Sequence, residues 1–168
     1  MNGATLQDMQ EHLRSRYWGK YRGEVTDVDA ATMRVKARVP AVLGGVSSGW
    51  AAPCVPYAGP QVGFCMLPDV GSGVWIEFEG GDVSFPIWTG CYWNTGDIPS
   101  TAAATLKTIV TRSGSLAFDN NASSVTLADS AQHMAVLDSS GVTLTAGSGS
   151  VAVGASGVSV NNGALEVT

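Results

Sequence analysis

Cysteine, histidine, aspartate and serine are the residue types from which metal sites and nucleophilic triads are built, and this chain uses them sparsely. Its three cysteines, Cys54, Cys65 and Cys91, form no CxxC and are odd in number, which argues against a disulfide framework and for reduced, partly buried thiols of a chain made in a cytoplasm. His12 and His133 lie far apart in sequence, and a zinc site needs three or four neighbouring ligands. His133 has Asp129, Ser130 and Asp138 near it in sequence. A triad also requires a nucleophile on a supported turn and an oxyanion site, which a thin, turn-rich repeat does not offer. Gly80-Gly81-Asp82 is followed by no Gly-Lys-Ser/Thr and reads as a turn, not a phosphate loop. Arg34, Lys36 and Arg38 alternate along one strand face and could track a phosphate backbone. Yet the net charge is −5, and seven of the nine basic residues fall between Arg14 and Arg38. The basic face is therefore expected to be solvated or to dock a partner. The expectation is no catalytic residue, no cofactor, no metal and no nucleic acid.

The elements that must carry these residues come in two compositions. The chain has 168 residues, 45% of them hydrophobic, too apolar for a disordered acidic chain. No apolar run is long enough to cross a membrane, and Met1 to Thr5 shows no signal-peptide pattern. All five tryptophans, all three cysteines and all seven prolines fall before residue 100; after Arg112 there is no Lys or Arg, and Phe118 is the one aromatic residue after Trp93. Segments built from such different residues are expected to form different structures.

Residues 5–17 read as a short helix, opened by the capping pair Thr5 and Asp8 and carrying a narrow stripe of Leu6, Met9 and Leu13. The stripe packs either on its own barrel or on a partner. Residues 20–95 read as about five short strands. In 32–39, Met33, Val35, Ala37 and Val39 face inward; in 74–79, Val74, Ile76 and Phe78 do. Residues 51–57, with two prolines, are irregular or an edge. This pattern suits a small Greek-key barrel of the OB type.

Residues 105–168 read as very short alternating strands separated by Asp, Asn, Ser and Gly, repeating every 7 to 10 residues, the rhythm of a β-solenoid or needle. One copy would have almost no core. Burying a Val or Leu fully contributes about 1.5–3 kcal/mol, against about 1–2 kcal/mol of backbone entropy per ordered residue. Three copies around a common axis would cover each aliphatic stripe and pair strand edges between chains. A monomeric solenoid competes, although it would want longer repeats and larger inward residues.

Three stretches carry a resemblance: Tyr21-Arg22-Gly23-Glu24-Val25, Arg34 to Pro40, and Gly49-Trp50-Ala51-Ala52-Pro53-Cys54-Val55-Pro56-Tyr57-Ala58-Gly59. They are followed in order by Leu67 to Asp82 and Phe85 to Asn94. Together they resemble the OB-fold of phage baseplate assembly protein V, a module shared with the VgrG spikes of type VI secretion. Thr111 to Asn120 and Leu137 to Leu144 are similar to the start of that family's needle. The resemblance implies an all-β chain: a short N-terminal helix, an OB-fold Greek-key barrel, then a trimeric intertwined β-helix needle. It implies a central, membrane-puncturing spike, not an enzyme, in a virion tail baseplate or equivalent injection particle. Such a spike is seated under a tail hub and driven into the target envelope by sheath contraction. No lysozyme-like insertion and no His-x-His tip are present, so a separate PAAR-type tip protein is expected.

The expected divisions are a hub-contact arm over 1–18, the barrel over 19–96, a linker over 97–110 and the spike over 111–168. Hub or subunit contact is expected from Leu6, Met9, Leu13, Arg34, Lys36 and Arg38. The homotrimer's core is expected from Leu127, Leu137, Val142, Leu144, Val151, Val153, Val158 and Val160, and tip docking from Leu165, Val167 and Thr168. The alternative is a free-standing carbohydrate- or nucleic-acid-binding OB module with a solenoid tail.

Overall fold

The computed structural model describes residues 5, 10, 11 and 13–167, with the backbone alone for 166 and 167. It is built almost wholly of strands and divides into two units, one ending at Asp97 and the other beginning at Ile98. Among the described residues no helix is long and apolar enough to cross a membrane.

In the first unit, strand β1 (Tyr21–Asp29) pairs antiparallel with β2 (Arg34–Arg38). Asp29 sets the turn between them: its carboxylate accepts from Ala31 N at 3.0 Å and from Thr32 Oγ1 at 2.6 Å. These bonds, Thr32 first, hold the Asp29 carboxyl below its ordinary pKa. The turn takes up Met33, whose φ is 56°. Met33 therefore does not join the inward row expected of it; that row begins at Val35. A single helical turn, α1 (Pro40–Leu43), follows. Proline at a first helical position has its φ already set, which favours the turn here.

Two-residue strand β3 (Ala52–Pro53) comes next, then the small hairpin β4 (Ala58–Gly59) and β5 (Val62–Gly63), then β6 (Gly73–Phe78) and β7 (Pro86–Tyr92). The main sheet runs in the order β2-β1-β6-β7-β3, with β3 and β7 parallel. Ala51, just before β3, exchanges hydrogen bonds with Val35 of β2, its N donating at 2.7 Å and its O accepting at 3.3 Å. One short segment thus touches both ends of the sheet and curls it toward closure in the strand order of an OB barrel. Register shifts between Val25 and Asp27 and between Val74 and Ile76 supply bends.

Inside lie Val25, Val35, Ala37, Val39, Ala51, Val74, Ile76, Phe78 and Trp88. Trp88 satisfies its indole N–H on Met33 O at 3.0 Å. Buried Ser48 accepts from Ala37 N at 3.1 Å and donates to Gly49 O at 2.7 Å, so neither its hydroxyl nor that amide is stranded. Gly73 lets the ring of Tyr92 lie against the strand: a Cβ there would come within 2.7 Å of that ring.

The second unit is one eight-stranded antiparallel meander in sequence order: β8 (Leu106–Val110), β9 (Gly114–Asp119), β10 (Ser124–Asp129), β11 (Met134–Asp138), β12 (Gly141–Ala146), β13 (Gly149–Gly154), β14 (Gly157–Val160) and β15 (Leu165–Val167). Two expectations change. Residues 106–110 of the expected linker are a full strand paired with β9. Strand edges expected to pair between chains are paired within one, because aspartate, asparagine and glycine at the turns allow tight hairpins. Only β8 and β15 keep an open edge.

Candidate assembly surface

The turns of the meander hold its register, and aspartates hold the turns. Asp119 accepts from Asn121 N at 2.8 Å and Ala122 N at 3.1 Å; Asp138 accepts from Ser140 N at 2.8 Å and Ser140 Oγ at 2.6 Å. Asp129 accepts from Ala131 N at 2.8 Å and His133 N at 2.9 Å, and its second oxygen meets His133 Nδ1 at 2.8 Å. The His133 backbone bond, then its ring, holds the Asp129 carboxyl below its ordinary value; the Ser140 hydroxyl does the same for Asp138. At Gly141, φ is 138° and a Cβ would fall on the carbonyl oxygen of Val153, so only glycine fits.

With register held, facing residues share a side of the sheet. One row reads Ile109, Leu116, Leu127, Ala135, Leu144, Val151, Val160, Leu165. Two residues along lies a second row on the same face: Lys107, Phe118, Val125, Leu137, Val142, Val153 and Val158, with Val167 at the last register position. The opposite face carries Thr108, Ala117, Thr126, Val136, Thr143, Ala152 and Ser159 along its middle. One side of the sheet is aliphatic almost throughout; the other is mostly small and hydroxylated.

Nothing in the second unit's own fold covers the aliphatic side. Among the described residues the buried hydrophobic ones all lie between Val25 and Trp88. In the meander Leu127 is 59% exposed, Leu144 50% and Phe118 44%. A contiguous apolar face of this size marks an interaction site.

The structure brings all eight expected core residues, Leu127, Leu137, Val142, Leu144, Val151, Val153, Val158 and Val160, onto this face. Leu165 extends the first row, and Val167 pairs with Val158 through its backbone on β15; Thr168 lies outside the described residues. Ile109, Leu116, Phe118 and Val125 were not singled out from sequence, although Leu116 and Phe118 alternate with Ser115 and Ala117 in a manner that marks one face.

The other expected contacts fall in the first unit. Leu6, Met9 and His12 lie outside the described residues. Residues 10, 11, 13 and 14 are helical, and Leu13 is 59% exposed. The chain then clasps the turn at Gly81: Tyr17 N donates to Gly81 O at 2.9 Å and Arg16 pairs with Asp82 at 3.0 Å. Arg34 and Arg38 are exposed, whereas Lys36 sits 4.5 Å over the Trp50 ring and 3.7 Å from Asp27. Cys54, Cys65 and Cys91 are free and exposed, not partly buried as expected. Among the described residues no three His, Cys, Asp or Glu side chains gather as metal ligands would.

Residues 21–93 match the type VI secretion system/phage-baseplate injector OB domain, and residues 104–166 match the phage baseplate V C-terminal trimerisation domain. The chain belongs to the baseplate V family of injector spikes. The trimerisation match covers the strands whose aliphatic face is bare, and the OB match covers the barrel. No curated protein matches the chain. This baseplate V family member is a structural component of a phage baseplate or related injection particle.

Proposed function

We propose that the chain is the central spike subunit of a contractile injection machine and works as a homotrimer. The aliphatic face of the meander carries this reading: two rows of Leu, Val, Ile and Phe with no cover from their own unit, in a segment matching a trimerisation domain. Three copies turned inward would bury those rows about one axis and present Thr, Ser and Ala outward. Every inner strand already has its backbone partners, so the assembled rod would be stiff without further pairing.

The role is mechanical. The barrel seats the spike on a tail hub, with Arg34, Arg38 and the Leu13 arm available for contact. The trimeric needle transmits the force of sheath contraction to the target envelope. The open edge of β15 is a template for strand pairing and needs cover, which a PAAR-type tip protein would supply through Leu165, Val167 and Thr168. Counting copies in purified particles tests the reading: three per particle on the tail axis are expected. A six-fold count, or absence from the particle, would reject it.

A further inference from the structure

Strand β9 turns three residues of very different size to the aliphatic side. Gly114, Leu116 and Phe118 alternate with Ser115 and Ala117, so all three share that face. Gly114 opens the strand at one margin of the sheet, Phe118 lies one residue from its end at the other margin, and Leu116 stands between them. Gly114 has to stay bare, because a Cβ there would strike the carbonyl oxygen of Ala128. Beside it opens a hollow of about 590 Å³, walled by Leu116 and Leu127 toward the middle of the face and by Thr111, Asp129 and His133 at the margin. Phe118 is the one aromatic side chain of the unit and is nearly half exposed. It lies four residues along the strand from Gly114, about 13 Å, too far to fill the hollow of its own chain.

A rotation about a three-fold axis leaves every residue at its own height along that axis. With the rows running down the axis, a residue of one copy meets residues on the same strand level of the next. In a closed ring the margin of one sheet also meets the opposite margin of its neighbour. At the level of β9, therefore, Leu116 points toward the axis and the Phe118 margin of one copy faces the Gly114 margin of the next. We infer that Phe118 of each copy seats in the hollow over Gly114 of the next, the unit's one aromatic ring against a residue with no side chain. This rests on the trimeric reading above. At the following two levels Val125 would face Asp129 and Leu137 would face His133, and those two polar side chains already fill the margin and meet each other at 2.8 Å. The open socket and the largest knob thus coincide on one strand. A buried aromatic anchored in a partner's pocket is the usual concentrated source of affinity in an interface, which makes β9 the anchoring layer of the trimer.

Cross-linking separates this seat from its alternatives. In full-length chain with Cys54, Cys65 and Cys91 replaced by alanine, Phe118→Cys and Thr111→Cys are introduced together. Thr111 lines the hollow next to Gly114, its N donating to Gly114 O at 2.9 Å. The two positions cannot join within one chain: Phe118 pairs with Lys107, four residues from Thr111, and a disulfide needs Cα atoms within about 7 Å. Trimers isolated under reduction and then oxidised are expected to become covalent trimers. Phe118→Cys alone is expected to give no disulfide, and neither is Phe118→Cys with Ala146→Cys, which lies on the Gly114 margin but on β12, three strands away. Trimers that stay uncross-linked, or that join through Phe118→Cys alone or through Ala146→Cys, overturn the seat while leaving the trimer standing. Truncation gives a second readout. Phe118→Ala raises the concentration at which half the chains are trimeric by about tenfold or more, whereas Ala152→Leu, on the opposite face, leaves it unchanged. An unchanged value for Phe118→Ala overturns the seat as well. A monomeric parent chain removes both readings at once.

Discussion

The two units of this chain solve the burial problem in opposite ways. The barrel wraps five strands around nine buried apolar side chains and a satisfied indole. The meander has more strands, full backbone pairing and regular turns, yet its aliphatic residues remain open. Each backbone hydrogen bond contributes only about 0.5–1.5 kcal/mol net, because water offers the same bonds to the unfolded chain. A sheet covered on neither face therefore lacks the term that stabilises folded proteins. The barrel holds its core inside one chain, while the meander leaves its aliphatic face for a partner surface to cover.

All five tryptophans lie in the first unit, so indole fluorescence follows that unit and far-ultraviolet dichroism follows both. The largest expected effect is Leu127→Asp. A carboxylate on the central row would be buried without a partner in the trimer. The variant should sediment as a monomer with its tryptophan emission unchanged; a trimeric variant would mean the aliphatic face is not the contact. Ile76→Ala makes the mirror test. Its cavity in the barrel should cost about 2–5 kcal/mol and lower the midpoint read by tryptophan emission, while the chains remain associated.

Gly141→Ala is expected to act on the meander alone, since its methyl would strike the Val153 carbonyl at a strained φ. It should lower the far-ultraviolet transition by several degrees without moving the tryptophan transition, and a shift of both would show that the units melt together. The smallest effect concerns acid. Asp129 and Asp138 have carboxyls held below their unfolded value of about 3.9. Their contribution is present above that pH and is lost as the pH falls through the lowered pKa. Asp138→Asn keeps an acceptor for Ser140 without the charge. It should flatten the fall of the meander's melting midpoint below about pH 4, and an unchanged acid profile would place the effect elsewhere.

Much of this was legible in the residues. Alternation named Val35, Ala37, Val74, Ile76 and Phe78 as inward, because a strand's two faces separate at every step. The same rule placed the eight expected core residues of the meander on one face. Alternation does not say which strand pairs with which. That is why residues 106–110 read as linker and why pairing was expected between chains: five residues without turn markers on both sides look alike as strand or connector. Met33 was misplaced because the Asp29 side chain takes the backbone of Ala31 and the hydroxyl of Thr32 into a turn that periodicity does not register. A hollow bounded by Leu116, Leu127 and Ala135 was beyond sequence reading, since its lining comes from five successive strands, β8 to β12.

Sedimentation of the intact chain across the micromolar range tests whether further copies cover the meander's aliphatic face. A species of about 52 kDa is expected, three times 17.3 kDa, whose dissociation on dilution removes strand signal and spares tryptophan emission. A single 17.3 kDa species with both units fully folded would contradict it.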